Sequence, residues 1–152
     1  NQLVMVLDIY EMFEQYKPEK YVIEEKTNPF EGKKVLLAED TQFFQRVITK
    51  FLLDQGFEVD VADDGEKAWD KLMSGKHYDI LVSDVQMPHL DGFGLVERVR
   101  KNSKVSHLPI MMLTSMSNES YRERGAQLGV DAYEIKLDKA KQVKTLTKLL
   151  NR

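Results

Sequence analysis

The sequence contains no cysteine, so it forms no disulfide bond and offers no thiol nucleophile or cysteine-ligated metal site. It also lacks an excess of positive charge. With 22 basic and 25 acidic side chains the formal net charge is −3, which excludes a globally basic nucleic-acid-binding protein. No apolar run reaches the ~18 residues that a membrane-spanning helix needs. The chain does have 152 residues, 42% of them hydrophobic, which is enough for one compact domain with a short appendage.

Charge divides the sequence into two parts. Residues 1–32 carry seven acidic and three basic side chains, a net charge of −4, whereas the 18 acidic and 19 basic side chains from Lys33 onward give +1. Pro29 and Gly32 lie where the composition changes, as is typical of a linker. We therefore predict a boundary between residues 1–32 and residues 33–152.

The first part contains too few elements for a core of its own. Residues 3–7 form an apolar run typical of a strand, and a helical pattern follows from Asp8, while residues 21–26 are polar. One strand and one helix do not enclose a core. Because the chain also begins without methionine, we expect residues 1–32 to be the end of a preceding domain, with its linker, in a longer protein.

Strand and helix patterns alternate through the second part. The predicted strands cover residues 34–38, 57–62, 79–83, 109–114 and 132–136, and the predicted helices cover residues 41–55, 65–73, 93–101, 119–128 and 138–150. The first, third and fourth strands are continuously apolar, as buried central strands are, and the other two alternate, as edge strands do. This pattern predicts an α/β fold, a doubly wound parallel sheet of five strands in the flavodoxin-like order 2-1-3-4-5, with helices on both faces.

Chemically reactive side chains follow four of these strands. They are Glu39-Asp40 after the first, Asp84 after the third, Thr114-Ser115 at the end of the fourth and Lys136 at the end of the fifth. Ligands of such sheets bind beyond the carboxyl ends of the strands. Crowded carboxylates require a neutralising cation, and oxygen ligands suit Mg²⁺. Asp84 can attack phosphorus as a nucleophile while Thr114 and Lys136 hold phosphoryl oxygens.

Residues 33–150 resemble the receiver domain of response regulators. The resemblance rests on Glu39-Asp40, the segment of residues 83–92 (SDVQMPHLDG), Leu113-Thr114-Ser115 and Lys136, in this order. It implies that Asp84 is the phosphoacceptor and that Glu39, Asp40, Asp84 and the backbone carbonyl of Gln86 bind Mg²⁺. It also implies that Thr114 moves toward the phosphoryl group, that the Tyr133 rotamer follows, and that Gln86 and Met116 influence the phosphoryl lifetime. A polar fourth helix containing Gly125 is expected to be remodelled by phosphorylation.

One position departs from the receiver pattern, because Leu137 replaces the proline that commonly follows the lysine. The proline that would favour a cis peptide at this bond is absent, and cis bonds without proline cost about 3 kcal/mol. The string Lys136-Leu137-Asp138 is similar to receivers fused to CheA-type chemotaxis kinases, and residues 3–9 resemble the end of a CheW-like coupling domain. The resemblance thus implies the receiver of a bacterial hybrid histidine kinase. Such a protein is cytoplasmic and neither binds nucleic acid nor inserts into the membrane; its partners are a phosphohistidine domain, CheW-like proteins and chemoreceptors.

Other interpretations of the same residues remain open. The parent can be a CheV-type adaptor, or the domain can be a receiver-like interaction module that is not phosphorylated. A flavodoxin-type redox module is disfavoured because residues 40–43 (DTQF) are acidic and bulky where a phosphate loop belongs, and an Asp-x-Asp phosphatase is disfavoured by Gln86. Tyr133 can instead be an ordinary strand tyrosine facing solvent. The three histidines match no metal-ligand spacing and are expected at the surface, whereas Trp69 and Met111-Met112 are expected in the core.

Overall fold

Strands and helices alternate along residues 29–116 and 118–151, the part of the chain that the computed structural model describes. The strand and helix predicted within residues 1–16 fall outside this part. The strands are β1 (Lys34–Ala38), β2 (Glu58–Ala62), β3 (Ile80–Asp84), β4 (Ile110–Thr114) and β5 (Ala132–Ile135). The helices are α1 (Gln42–Asp54), α2 (Gly65–Met73), α3 (Gly92–Lys101), α4 (Glu119–Leu128) and α5 (Lys139–Leu150).

The five strands form one parallel sheet in the order β2-β1-β3-β4-β5, which confirms the predicted topology. Every residue of β3 and β4 is buried, whereas most residues of β2 and β5 are half-buried, as continuous and alternating apolar patterns indicate. The third strand begins one residue later than predicted. Asp79 precedes the strand: its carboxylate accepts a hydrogen bond from the Lys34 N–H at 2.8 Å, and its own N–H donates to the Lys34 carbonyl at 2.8 Å. Asp84 pairs with Leu113 as the last strand residue.

Two apolar layers cover the two faces of the sheet, because successive strand residues point to opposite sides. Met111 belongs to the layer beneath α1 and α5, and Met112 to the layer beneath α2 and α3, so both are core residues as predicted. Trp69 is only partly buried, since it lies at the margin of its layer with the Arg98 guanidinium 6.0 Å from its ring. No helix in the described ranges has both the length and the apolar composition needed to cross a membrane.

Each helix begins a few residues after the carboxyl end of a strand, so its first turn lies at that edge of the sheet. Four of the five helices begin with a side chain that accepts a hydrogen bond from a backbone N–H in the first turn, namely those of Asp64, Asp91, Asn118 and Asp138. The start of α3 packs closely on the end of β3. A Cβ on Gly92 would overlap the carbonyl oxygen of Asp84, and the Gly92 N–H donates to the Val85 carbonyl at 2.8 Å. Glycine thus allows the close approach of α3 to Asp84.

Candidate functional site

The carboxyl edge of the sheet brings together a lysine and two carboxylates from three different strand ends. Lys136 Nζ lies 2.9 Å from Glu39 Oε2 and 3.3 Å from Asp84 Oδ2. All three side chains are buried. The ring of Phe44, from the first turn of α1, lies 4.2 Å from Lys136 Nζ and contributes a cation–π contact. Parallel strands with their ends in register explain why residues so distant in sequence meet here.

Glu39, Asp40 and Asp84 form a set of carboxylates that fits a divalent cation. One oxygen from each lies within 4.8 Å of the other two, with Asp40 exposed and the others buried. Although Glu39 Oε2 pairs with Lys136, it is buried and has no hydrogen-bond partner of good geometry among the described residues. A buried anionic oxygen of this kind is stabilised by a cation, and an all-oxygen donor set is the type that Mg²⁺ prefers. Gln86, whose backbone carbonyl is the predicted further ligand, lines the same cavity.

Burial governs the protonation of the two buried carboxyl groups. It raises the pKa of Glu39 above the ordinary 4.5 and that of Asp84 above the ordinary 3.8, while the neighbouring Lys136 ammonium opposes both shifts. The charge of Asp84 also raises the pKa of Glu39, since like charges close together disfavour ionisation. The single ammonium thus only partly stabilises the charged forms of the two carboxyl groups, and a bound cation would stabilise them further.

An open cavity of about 640 Å³ gives solvent access to Asp84. Its lining includes Thr114 and Lys136, together with Gln86 and Met116, so most of the predicted site residues share one space. Met116 is 73% exposed and Gln86 is also exposed, which leaves both side chains at the mouth rather than at the bottom. The cavity is large enough for a phosphoryl group and open enough for its delivery by another molecule.

Tyr133 lies inside the protein and not at the surface. Its side chain is 6% exposed, and its hydroxyl has no hydrogen-bond partner among the described residues. The Arg122 guanidinium, from α4, lies 5.5 Å from the centre of its ring. The solvent-facing alternative for this tyrosine is therefore wrong. Thr114, buried at the end of β4, is one strand away, where it pairs with Ile135.

The peptide bond between Lys136 and Leu137 is trans, as are the other peptide bonds of the described segments. Lys136 thus reaches Glu39 and Asp84 without the cis bond that a following proline would favour. The Gln142 amide nitrogen donates to the Lys136 carbonyl at 2.8 Å and to the Ile135 carbonyl at 2.8 Å, which fixes this turn from α5. Leu137 itself is exposed.

Sequence reasoning missed one polar contact at the mouth of the cavity. The Gln86 amide nitrogen donates to the Tyr121 hydroxyl at 2.8 Å, and both residues line the cavity. The two residues are 35 positions apart in the sequence, which gives no signal of this contact because it depends on how α4 lies against the loop after β3. His77, His89 and His107 are exposed as expected. Among the described residues, Glu39, Asp40 and Asp84 are the only group of three histidine or carboxylate side chains close enough together to hold a metal ion.

Comparisons with known proteins agree with this arrangement. The response regulator receiver domain family matches residues 35–151. The chemotaxis protein CheY of Pseudomonas aeruginosa is 36% identical over 104 residues, which are 68% of this chain and 83% of that protein. The structure of the chemotaxis response regulator CheY4 of Vibrio cholerae has a TM-score of 0.71 at 32% identity and covers 78% of this chain and 98% of its own.

A second solved structure carries a metal ion. The receiver domain of the sensor histidine kinase PA1611 of Pseudomonas aeruginosa, with a magnesium ion coordinated in its active site cleft, has a TM-score of 0.73 at 28% identity. The match covers 80% of this chain and 99% of that one. Other curated relatives are longer proteins, of which the chain spans between 13% and 47%.

Proposed function

Because the chain belongs to the response regulator receiver domain family, we propose that Asp84 accepts a phosphoryl group from a phosphohistidine in a Mg²⁺-dependent reaction. The observation that carries this proposal is the position of Lys136 Nζ between the buried carboxylates of Glu39 and Asp84, at one side of an open cavity. A purely structural ion pair does not require an open cavity beside it. A nucleophile and the lysine paired with it do require an open cavity, since the phosphoryl group must reach them.

In the transfer, a carboxylate oxygen of Asp84 forms a bond to phosphorus while the bond between phosphorus and the histidine nitrogen breaks. The electron pair of that bond leaves with the imidazole. The Val85 N–H donates to Asp84 Oδ1 at 2.8 Å and orients the carboxylate for attack. The ammonium of Lys136 and the hydroxyl of Thr114 bind oxygens of the transferred group, as preorganised donors. Glu39, Asp40, Asp84 and the backbone carbonyl of Gln86 would hold Mg²⁺, which when bound would supply further positive charge for the phosphoryl oxygens.

We further propose that the protein is a switch or phosphate sink in chemotaxis signalling. After phosphorylation, the Thr114 hydroxyl shifts toward the new phosphoryl group and Tyr133 changes rotamer into the space this opens. The buried hydroxyl of Tyr133 supports this role, because it has no partner in the described part of the chain before the shift. The relation to a chemotaxis CheY protein supports the pathway.

The parent protein is proposed to be a bacterial hybrid kinase of the CheA type, which places the domain in the cytoplasm. The turn Lys136-Leu137-Asp138 and the CheW-like character of residues 3–9 support it, and a CheV-type adaptor is the alternative. Its partners are then a phosphohistidine domain, CheW-like proteins and chemoreceptors. Three exposed apolar side chains suit contact with a protein phosphodonor: Met116 lines the cavity, and Phe43 and Leu137 lie within two residues of the lining in sequence.

Phosphorylation by a small phosphodonor tests the proposal directly. The chain is incubated with and without Mg²⁺, and its intact mass is followed together with the intrinsic fluorescence on addition of beryllofluoride. We expect a Mg²⁺-dependent phosphoryl adduct in the natural chain and none in Asp84→Asn. Asp70→Asn, which removes an exposed carboxylate from α2, is the matched control and should behave as the natural chain does. A natural chain without any adduct would favour the interaction module instead.

A further inference from the structure

Gln86 and Tyr121 connect two sides of the cavity mouth. Gln86 lies in the loop after β3, two residues beyond Asp84, and Tyr121 lies in the first turn of α4. The amide nitrogen of Gln86 donates to the Tyr121 hydroxyl at 2.8 Å. This contact joins a side chain that lines the cavity, two residues beyond the proposed phosphoacceptor, to a helix that is distant from it in sequence.

Tyr121 is the rigid member of this pair. Its ring meets the buried ring of Phe93 edge to face, with 5.7 Å between the centroids, and its backbone N–H donates to the capping oxygen of Asn118 at 3.1 Å. Gln86 is exposed, so its side chain would sample several rotamers without a partner. The hydroxyl of Tyr121 therefore determines which way the Gln86 amide points.

The orientation matters for the reaction that ends the phosphorylated state. With the amide nitrogen bound to Tyr121, the carbonyl oxygen, Oε1, is the end of Gln86 that can accept a hydrogen bond from water at the open side of the cavity. Hydrolysis forms a bond from that water oxygen to phosphorus and breaks the bond to the Asp84 carboxylate oxygen. The electron pair returns to the carboxylate, and both protons of the water leave with dihydrogen phosphate.

We propose that Tyr121 is a positioning residue for dephosphorylation: it fixes the Gln86 amide so that its carbonyl oxygen orients the attacking water. The inference rests on the proposed function, since it concerns the lifetime of the phosphoryl group on Asp84. Tyr121 touches neither the water nor the phosphoryl group in this role. It shortens the phosphoryl lifetime by holding Gln86 in one orientation before the reaction.

The test compares phosphorylation and dephosphorylation rates in Tyr121→Phe, Gln86→Ala and the double variant. Each chain is phosphorylated with Mg²⁺ and a small phosphodonor, the donor is removed, and decay is followed by intact mass. Loss of one neutral hydrogen bond should slow decay about threefold in Tyr121→Phe, a larger change than the one in the phosphorylation rate. Gln86→Ala should slow decay at least as much, and the double variant should match Gln86→Ala.

A distant tyrosine provides the matched control. The Tyr78 hydroxyl donates to Asp60 at 2.6 Å, next to the amino end of β3, so Tyr78→Phe removes a similar contact far from the cavity and should leave decay unchanged. The inference is overturned if Tyr121→Phe decays as fast as the natural chain, or if it still slows decay when Gln86 is alanine. Failure of the proposed function is distinguishable, because the natural chain would then take up no phosphoryl group at all.

Discussion

Lys136 and Glu39 form an ion pair, 2.9 Å from Nζ to Oε2, in which the two side chains are only 6% and 1% exposed. The same ammonium is 3.3 Å from Asp84, so one lysine serves two buried carboxylates. Removing charges from water costs several kcal/mol per ion, and this cost is offset only while the partners stay together. The lysine is consequently important for folding as well as for the proposed phosphoryl chemistry.

Replacing Lys136 by methionine should destabilise the protein strongly at neutral pH. The substitution keeps most of the side-chain volume but leaves Glu39 and Asp84 buried without their cation. We expect the free energy of unfolding, measured by urea denaturation without Mg²⁺, to fall by about 3 kcal/mol. The loss should become smaller in acid, where protonated carboxyl groups no longer need a partner.

Lys141→Met is the control for this measurement. Lys141 is exposed, and its Nζ lies 3.9 Å from Asp138, so its loss should change the stability little. Equal losses of stability in the two variants would show that the buried ion pair contributes no more to the free energy of unfolding than the exposed one. A loss in Lys136→Met that is the same at neutral and acid pH would contradict the electrostatic cause.

The pH dependence of the free energy of unfolding should reveal that burial disfavours the charged form of Asp84. Because burial raises the pKa of Asp84 in the folded protein above its ordinary 3.8, the folded state binds this proton more tightly than the unfolded chain does. The stabilising effect of that proton is full below the ordinary pKa and is lost as the pH rises through the raised pKa. Mg²⁺ should restore part of the loss at neutral pH.

Asp84→Asn isolates this contribution. Lys136 keeps its pair with Glu39, so we expect the variant to melt at a higher temperature than the natural chain near neutral pH without Mg²⁺. The difference should shrink as the pH falls through the raised pKa of Asp84 and should be gone below the ordinary 3.8, where both chains carry an uncharged group at this position in the folded and unfolded states. Thermal melts across this range decide the matter, and a variant that is less stable at neutral pH would contradict the prediction.

Gly92→Ala should disrupt the junction between β3 and α3. The added Cβ would overlap the carbonyl oxygen of Asp84, a backbone atom that moves only if the strand or the helix shifts. We expect a loss of about 2 kcal/mol or more in urea unfolding, together with weaker Mg²⁺ binding, because Asp84 shifts with its backbone.

Gly125→Ala, in α4, is the matched control for that substitution. Its Cβ would lie 3.5 Å from Val130, an ordinary van der Waals distance, and alanine favours the helix by up to about 1 kcal/mol. The control should therefore be neutral or stabilising. Similar destabilisation by both alanines would indicate a general intolerance of helical glycine replacement rather than a clash at Asp84.

The sheet could be predicted from the sequence because burial leaves a clear pattern in its strands. Continuous apolar residues marked β3 and β4 as central, and alternation marked β2 and β5 as edges. The gathering of Glu39, Asp84 and Lys136 at one edge follows from the same parallel arrangement, since it depends on strand ends and not on side-chain detail.

Contacts between helices and loops could not be predicted in this way. The hydrogen bond between Gln86 and Tyr121 depends on the tilt of α4. The sequence of α4 is polar, so it has little apolar pattern from which that tilt could be predicted. The sequence also did not decide whether Tyr133 is buried or faces solvent. Alternation along β5 distinguishes two faces of the strand but does not say which of them a helix covers. Trp69 was expected in the core, but size and hydrophobicity do not reveal that it lies at the margin of its apolar layer and is only partly buried.

Tyr133→Phe should raise the stability of the unphosphorylated protein. Its hydroxyl is buried and has no hydrogen-bond partner among residues 29–116 and 118–151, so the folded state loses the hydration that the unfolded chain retains. Removing such a group should increase the free energy of unfolding by about 1 kcal/mol. Because the ring remains, its contact with Arg122 is kept.

Urea unfolding with and without beryllofluoride measures both states: the gain should be largest without it, since the proposed rotamer change gives the natural hydroxyl a new environment. A variant that is less stable than the natural chain without beryllofluoride would show that the hydroxyl has a stabilising partner.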